Sequence, residues 1–284
     1  MTSFPPPSSG PEYGAPGSHG SPAGAAQYGR PAGEAAHGQP GSAGSAPVPA
    51  RPAPGTDLGA DLGAALTFTG RVLLRNPAAY LLSALIFSVL IFLIILAAVL
   101  AGGFTIAAMA ESAGYTDEPS FADLALVYAI ILGISALAAP LSVLWQSGAA
   151  RAGVMVLDGG RPSVGQALAG PLRVILTTLL TGAIIAVGTL LLYVPGLIAA
   201  VLLFYAVPAS ARGASPIAAL AQSARLAKAK LGTTIVAYLV MMVLSSVAGL
   251  LPILLLALIP FYVLFQLGMY ERVSGRALPE PARA

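Results

Sequence analysis

From Tyr80 to Ala101 the chain carries no charged residue, and the stretch is long enough to cross a hydrocarbon core that takes about 20 helical residues. A second apolar run extends from Leu124 to about Trp145, kinkable at Pro140. Two more, Val174 to Ala209 and Thr233 to Tyr270, are too long to be single ordinary helices. Tyr193-Val-Pro195-Gly196 offers a turn inside the first of these, and Gly249 and Pro252 a break inside the second, with Pro260 as a later kink. The pattern predicts an all-α polytopic transmembrane bundle of six spans, at residues 79–102, 123–146, 174–192, 195–210, 233–249 and 252–270. A re-entrant final pair is the alternative.

Water is not the main solvent of such a chain. Hydrophobic residues make up 57% of it and charged residues 9%, against about 25% charged in a soluble domain. The formal charge of +3 is scattered between apolar stretches, whereas a nucleic-acid surface concentrates its basic groups, so no nucleic-acid partner is expected. Cysteine is absent and the two histidines, His19 and His37, lie in the N-terminal stretch. The apolar body therefore lacks a thiolate and the commonest general base and metal ligand, and no cofactor or metal site is expected. Abundant alanine, glycine, proline and arginine match GC-rich codon usage and point to a high-GC bacterium.

Residues 1–56 read as a solvated tail rich in Pro, Gly, Ser and Ala, with too few bulky apolar groups to offset the entropy of ordering. Within it, Pro47-Val-Pro49-Ala-Arg51-Pro52 suits a polyproline II docking segment for a protein partner, or is simply part of the solvated tail. No basic segment followed by a short apolar core and cleavage site opens the chain, so the first span is expected to serve as its own targeting signal. Residues 57–272 form the membrane domain and 273–284 a short second tail.

Lysine and arginine collect on the cytoplasmic flanks of membrane spans. With six spans, Arg71 and Arg75 precede the first, Arg151, Arg161 and Arg173 lie between the second and third, and Arg212, Arg225, Lys228 and Lys230 between the fourth and fifth. Arg272, Arg276 and Arg283 follow the last, while the opposite connections contain neither Lys nor Arg. Both termini are therefore expected in the cytoplasm, and the plasma membrane is the expected location.

Each predicted hairpin follows a segment of similar pattern. Ala65-Leu66 precedes Arg71, Ala167-Leu168 precedes Arg173, and Ala219-Leu220 precedes Arg225, each with the same spacing. Ala277-Leu278 and Arg283 match as well with no hairpin after them, so position rather than pattern carries the reading. We expect three repeats of an amphipathic interface helix and a transmembrane hairpin. In the third, Ser215 can cap and Pro216 suits the first helical position. Ile217, Leu220, Ala221 and Ala224 form its apolar face, and Gln222, Arg225 and Lys228 project from another. Arg71, Arg173, Arg225, Lys228 and Lys230 are the candidate contacts to partners or anionic lipid headgroups, the alternative being connector helices that only fix topology.

The stretch Pro195-Gly-Leu-Ile-Ala-Ala, then Phe204-Tyr205-Ala206-Val207-Pro208, then Ser215-Pro-Ile-Ala-Ala-Leu-Ala-Gln-Ser223 with a basic run to Lys230, resembles uncharacterised bacterial six-span proteins of the YciC-like group. It is also similar to the membrane domain joined to some glycerophosphodiester phosphodiesterases. The resemblance implies a six-span layout over residues 60–272 and transfers no catalytic signature, because this chain has no room for the metal-dependent barrel that a phosphodiesterase needs.

Three functional classes follow. A non-catalytic organiser of membrane partners or lipids fits the lack of reactive groups. A small transporter or channel needs polar groups along a pathway, for which Gln266 and the group Thr177, Thr178 and Thr181 are the candidates. A membrane enzyme would have to use the edge carboxylates Glu111, Asp117, Glu118 and Asp123, or Asp158 on the other side.

Overall fold

The computed structural model describes residues 52–113, 120–250 and 252–280. The tail before residue 52, with His19, His37 and most of the proline-rich segment, lies outside them, as do Asp117, Glu118 and Arg283.

Asp57 opens the helical body by accepting a hydrogen bond from the Ala60 N–H at 2.6 Å, capping α1 (Leu58–Arg75). After Pro77 a short π-helical segment, Ala78–Leu82, runs into α2 (Ser83–Ala113). Ser120 and Asp123 form a capping box at the start of α3 (Phe121–Ser135), and α4 spans Ala138–Leu157. A second capping box, Ser163 with Gln166, starts the five-residue α5 (Val164–Leu168). There follow α6 (Leu172–Leu191), α7 (Tyr193–Leu202), α8 (Ala206–Ala211), α9 (Pro216–Ala229), α10 (Leu231–Leu250) and α11 (Pro252–Val273). The described residues contain no strand.

Five helical stretches among them are long and apolar enough to cross a membrane: Ala78–Ser112, Phe121–Leu157, Val164–Leu191, Tyr193–Ala211 and Leu231–Leu250. Their flanks present large apolar side chains outward, Phe104 at 72% and Leu190 at 86% exposure among them. Such surface is stable in hydrocarbon and not in water, so the chain is built to be embedded in a membrane.

Prolines break these helices one turn ahead of where they stand. A proline has no N–H to donate and its ring collides with the carbonyl four residues earlier. The kink expected at Pro140 accordingly lies at Ala136 and Leu137, and Pro140 occupies the first turn of α4. Pro195 sits in the first turn of α7, with the turn itself at Leu192, the residue between α6 and α7. Pro208 likewise sits in α8, downstream of a break at residues 203–205 that divides the fourth stretch into α7 and α8. That last break is absent from the sequence expectation, which treats 195–210 as one continuous span.

The two helices joined at Leu192 approach until glycine backbone meets backbone. A Cβ on Gly196 would lie 2.6 Å from the Thr189 nitrogen, and one on Gly188 would lie 3.0 Å from the Gly196 Cα. We expect Gly196→Ala to cost about 1 to 3 kcal/mol through overpacking. Gly182→Ala, whose Cβ would meet nothing within 4 Å, is expected to be neutral or stabilising by up to about 1 kcal/mol. Thermal melts in detergent compare the two; equal losses would show that the α6–α7 contact is not the tight one described.

Candidate functional site

Buried side chains gather at the end of the bundle where the chain enters α2, α6 and α10 and leaves α4, α8 and α11. The second half of α11 is the centre of this layer. Leu264, Phe265, Leu267 and Met269 are all fully buried there, with α1, α4, α8 and α10 packed around the helix. Phe204 and Tyr205, at the α7–α8 break, meet edge to face at 5.1 Å, and Phe204 also meets Tyr238 and Tyr262 edge to face. The same core cluster holds Ala65, Ala219 and Met241.

Two adjacent charges are carried into this apolar layer, and burial makes each one costly without a partner. Arg272 donates from Nε to Asp61 on α1 at 2.7 Å, and Asp61 also accepts from the Gly55 N–H at 3.1 Å. Glu271, 2% exposed, accepts from Nε of Arg212 at 2.7 Å and from Nε of Arg276. Arg212 reaches on to Asp158 at 2.8 Å, and Arg276 stacks over the Tyr270 ring, 5.2 Å from its centre. Tyr270 Oη accepts from Gln222 at 2.8 Å. Burial opposes the Arg212 charge, yet its hydrogen bonds to Glu271 and Asp158 hold its pKa above the ordinary arginine value. The arrangement therefore clamps helices: Arg272 ties α11 to α1, and Glu271 ties it to the segment after α8 and, through Arg212, to the end of α4.

Neither Asp61 nor Glu271 is a sequence candidate. The available signal was a charged pair, Glu271-Arg272, directly after an apolar run, together with Asp61 in the first turn of an amphipathic segment whose other charges, Arg71 and Arg75, lie toward its end.

Hydroxyl groups form the second set of fastenings. The α7–α8 break strands backbone groups inside the layer, where an unpaired one is costly. Ser223, fully buried on α9, accepts from the Tyr205 N–H at 3.0 Å and donates to the Leu202 carbonyl at 2.8 Å. Ser147 on α4 likewise accepts from the Gly170 N–H at 3.1 Å, holding the connection between α5 and α6. Thr177 donates to the Arg173 carbonyl at 2.8 Å and lies 2.9 Å from Ser210 Oγ, while Thr178 donates to the Val174 carbonyl at 2.9 Å. Gln266 is buried in α11, and the buried Thr181 hydroxyl makes no hydrogen bond among the described residues.

The candidate cations occupy different settings. Arg71 lies 3.7 Å from Glu280 and lines a cleft of about 760 Å³ between residues 52–54, the outer face of α1 and residues 277–280. Arg173 is exposed and donates to the Ser210 carbonyl at 3.2 Å. Arg225 and Lys228 are exposed on α9, and Lys230 donates to the Gly55 carbonyl at 3.2 Å. Of the acidic candidates, Asp158 pairs with Arg212, Asp123 completes the α3 capping box, and Glu111 is exposed near the end of α2. Among the described residues no three His, Cys, Asp or Glu gather as a metal site would require.

Three details of the amphipathic segments differ from expectation. The second is only five residues long, because Ala169 and Pro171 are extended and interrupt it before Arg173. On α9 the buried face is Ala219, Ser223 and Ala227, while Ile217 is 70% exposed. Close approach to the bundle selects small side chains here, and Ser223 has to face inward to reach the helix break. Ser215 does stand at the N-cap with Pro216 next, but its side chain makes no capping bond. Burial can be compared at like positions of the three segments. Ala65, Ala167 and Ala219 are all buried, Val72 and Val174 are buried and Leu226 packs against the core, while each intervening arginine is exposed.

Comparison with protein-family models, with curated proteins and with solved structures gives no match to this chain.

Removing the Ser223 hydroxyl leaves the Tyr205 N–H and Leu202 C=O unpaired. Ser223→Ala is expected to destabilise the protein by about 2 to 4 kcal/mol, from two orphaned buried groups, and to speed hydrogen exchange at the Tyr205 amide. An unchanged exchange rate there would show that Ser223 does not hold the break.

Proposed function

We propose that this protein is a non-catalytic membrane organiser that presents its clamped helical layer to partners or lipids at the cytoplasmic face of the plasma membrane. The observation that carries the reading is the engagement of three carboxylates and four hydroxyls of the layer, although the buried polar atoms of Tyr80, Trp145 and Thr181 have no hydrogen-bond partner among the described residues. Asp61, Asp158 and Glu271 each face a guanidinium, and Ser147, Thr177, Thr178 and Ser223 hold backbone or neighbouring hydroxyl groups. Groups so engaged stabilise a surface. On this reading α11 is a sixth span, both termini are cytoplasmic, and the chain is of the YciC-like kind. The matching inward positions of the three segments support three related units of interface helix and hairpin. The N-terminal tail would then offer its proline-rich stretch to a protein partner.

A transporter or channel is the second reading, favoured by the broken helix at residues 203–205, since discontinuous helices often line transport sites. Against it, Ser223 closes the break and aromatic rings fill it. A membrane enzyme is a more distant third, given how the carboxylates are engaged.

The absence of native cysteine makes single-cysteine labelling direct. With an impermeant maleimide on intact cells, Ser120→Cys and Leu250→Cys are expected to react and Ser274→Cys only after permeabilisation. A Leu250→Cys that reacts only after permeabilisation would replace the sixth span with a re-entrant pair. Proteoliposomes are expected to show no solute flux above empty vesicles, and gently purified protein to retain stoichiometric lipid or protein. Saturable flux with neither retained would reverse the functional reading.

A further inference from the structure

Two sets of cations stand out in the clamped layer. Arg71 and Arg75 face Glu280, Arg212 faces Asp158 and Glu271, Arg272 faces Asp61, and Arg276 faces Glu271. The second set is Arg151, Arg173, Arg225, Lys228 and Lys230, all exposed, and among the described residues none of them has a carboxylate within ion-pair distance. Three of the five make one bond to a neutral backbone carbonyl: Arg151 to Ala169, Arg173 to Ser210 and Lys230 to Gly55. Among the described residues no carboxylate neutralises their charge.

Their placement selects the partner. Arg151 lies on α4, Arg173 at the start of α6, and Arg225 and Lys228 on α9; α6 packs against both α4 and α9. Large apolar side chains stand exposed beside two of them, Leu172 adjoining Arg173 and Leu231 adjoining Lys230, and Ile217 is exposed in the first turn of α9, two to three turns before Arg225 and Lys228. A soluble acidic partner has no use for the exposed leucines that adjoin Arg173 and Lys230. A membrane surface does, since the apolar group enters the acyl boundary while the cationic end reaches the headgroup phosphates.

We infer that Arg151, Arg173, Arg225, Lys228 and Lys230 form a collar for anionic phospholipid headgroups, and that Arg71 belongs to the internally paired set. The inference rests on the orientation given under the proposed function and names the lipid that the organiser would gather. Each unpaired cation near an anionic surface contributes roughly fivefold in affinity, corresponding to about 1 kcal/mol.

The test uses the full-length protein in neutral detergent, with dioctanoyl phosphatidylglycerol, dioctanoyl phosphatidylcholine and inorganic phosphate as probes, and binding read by native mass spectrometry. Phosphatidylglycerol is expected to bind more tightly than phosphatidylcholine. The pair Arg225→Gln and Lys228→Gln, whose side chains make no hydrogen bond among the described residues, is expected to weaken it by about 25-fold, two factors of about fivefold. Arg225→Lys with Lys228→Arg should restore binding, and Arg71→Gln should leave it within twofold of the parent, with melting temperature confirming that each variant is folded. Equal binding of the two lipids, or a loss on Arg71→Gln as large as on the α9 pair, would overturn the collar. Competition by inorganic phosphate at equal concentration would replace the lipid with a soluble phosphate and overturn it as well. Solute flux with the lipid selectivity intact would remove the organiser reading and leave the collar standing; retained protein partners without lipid selectivity would do the reverse.

Discussion

A charge taken out of water has to be matched at the same place, and the end of α11 takes in two neighbours of opposite sign. Arg272 turns toward Asp61 and Glu271 toward Arg212 and Arg276. Consecutive residues on a helix diverge by about 100°, so an adjacent acid and base seek partners on different sides. That divergence makes the pair a bolt between elements far apart in the chain. The first helix is held by one member, while the segment after α8 and the end of α4 are held by the other. Apolar packing then fills the space between, with Phe265 and Met269 inside the ring of helices.

The same economy governs the helix interruptions. Hydrocarbon supplies no hydrogen bonds, so every break in a spanning helix has to be repaired by a nearby group. The break ahead of Pro208 falls within the packed layer, where Ser223 meets both an N–H and a carbonyl. The turn at Leu192 is closed by the Gly188–Gly196 approach and by the Leu192 N–H bonding to Gly188. At this end the helices stand with large apolar groups outward, whereas the opposite end is fastened by ions and hydroxyls. One end of the molecule therefore combines the apolar core with polar fastenings, and that end also carries the exposed cations.

Helix content was legible from the apolar runs because a membrane helix must be apolar along its length, and the hairpin turn near Pro195 because proline punctuates helices. The exact breaks were displaced by up to a turn, since a proline disrupts the carbonyl before it and remains helical itself. Ser223 was visible as part of a repeated-looking segment, but its inward direction depends on the α7–α8 break, which a continuous apolar stretch conceals. Ile217 misled for a related reason: hydrophobicity marks the inward face of a helix in water, while at a membrane the larger apolar groups can face lipid and the small ones face protein. Asp61 and Glu271 were hidden by distance along the chain, because an ion pair joining residues 61 and 272 leaves no local pattern.

A double-mutant cycle on Asp61 and Arg272 tests most directly whether the buried pairing holds the first helix to the last. Unfolding in mixed micelles is expected to show Asp61→Ala and Arg272→Ala each costing about 3 kcal/mol, because each strands a buried charge. The double variant is expected to cost little more than either single one, a coupling of about 2 to 3 kcal/mol. Strictly additive losses would contradict the account, since α1 and α11 would then be held together by packing alone.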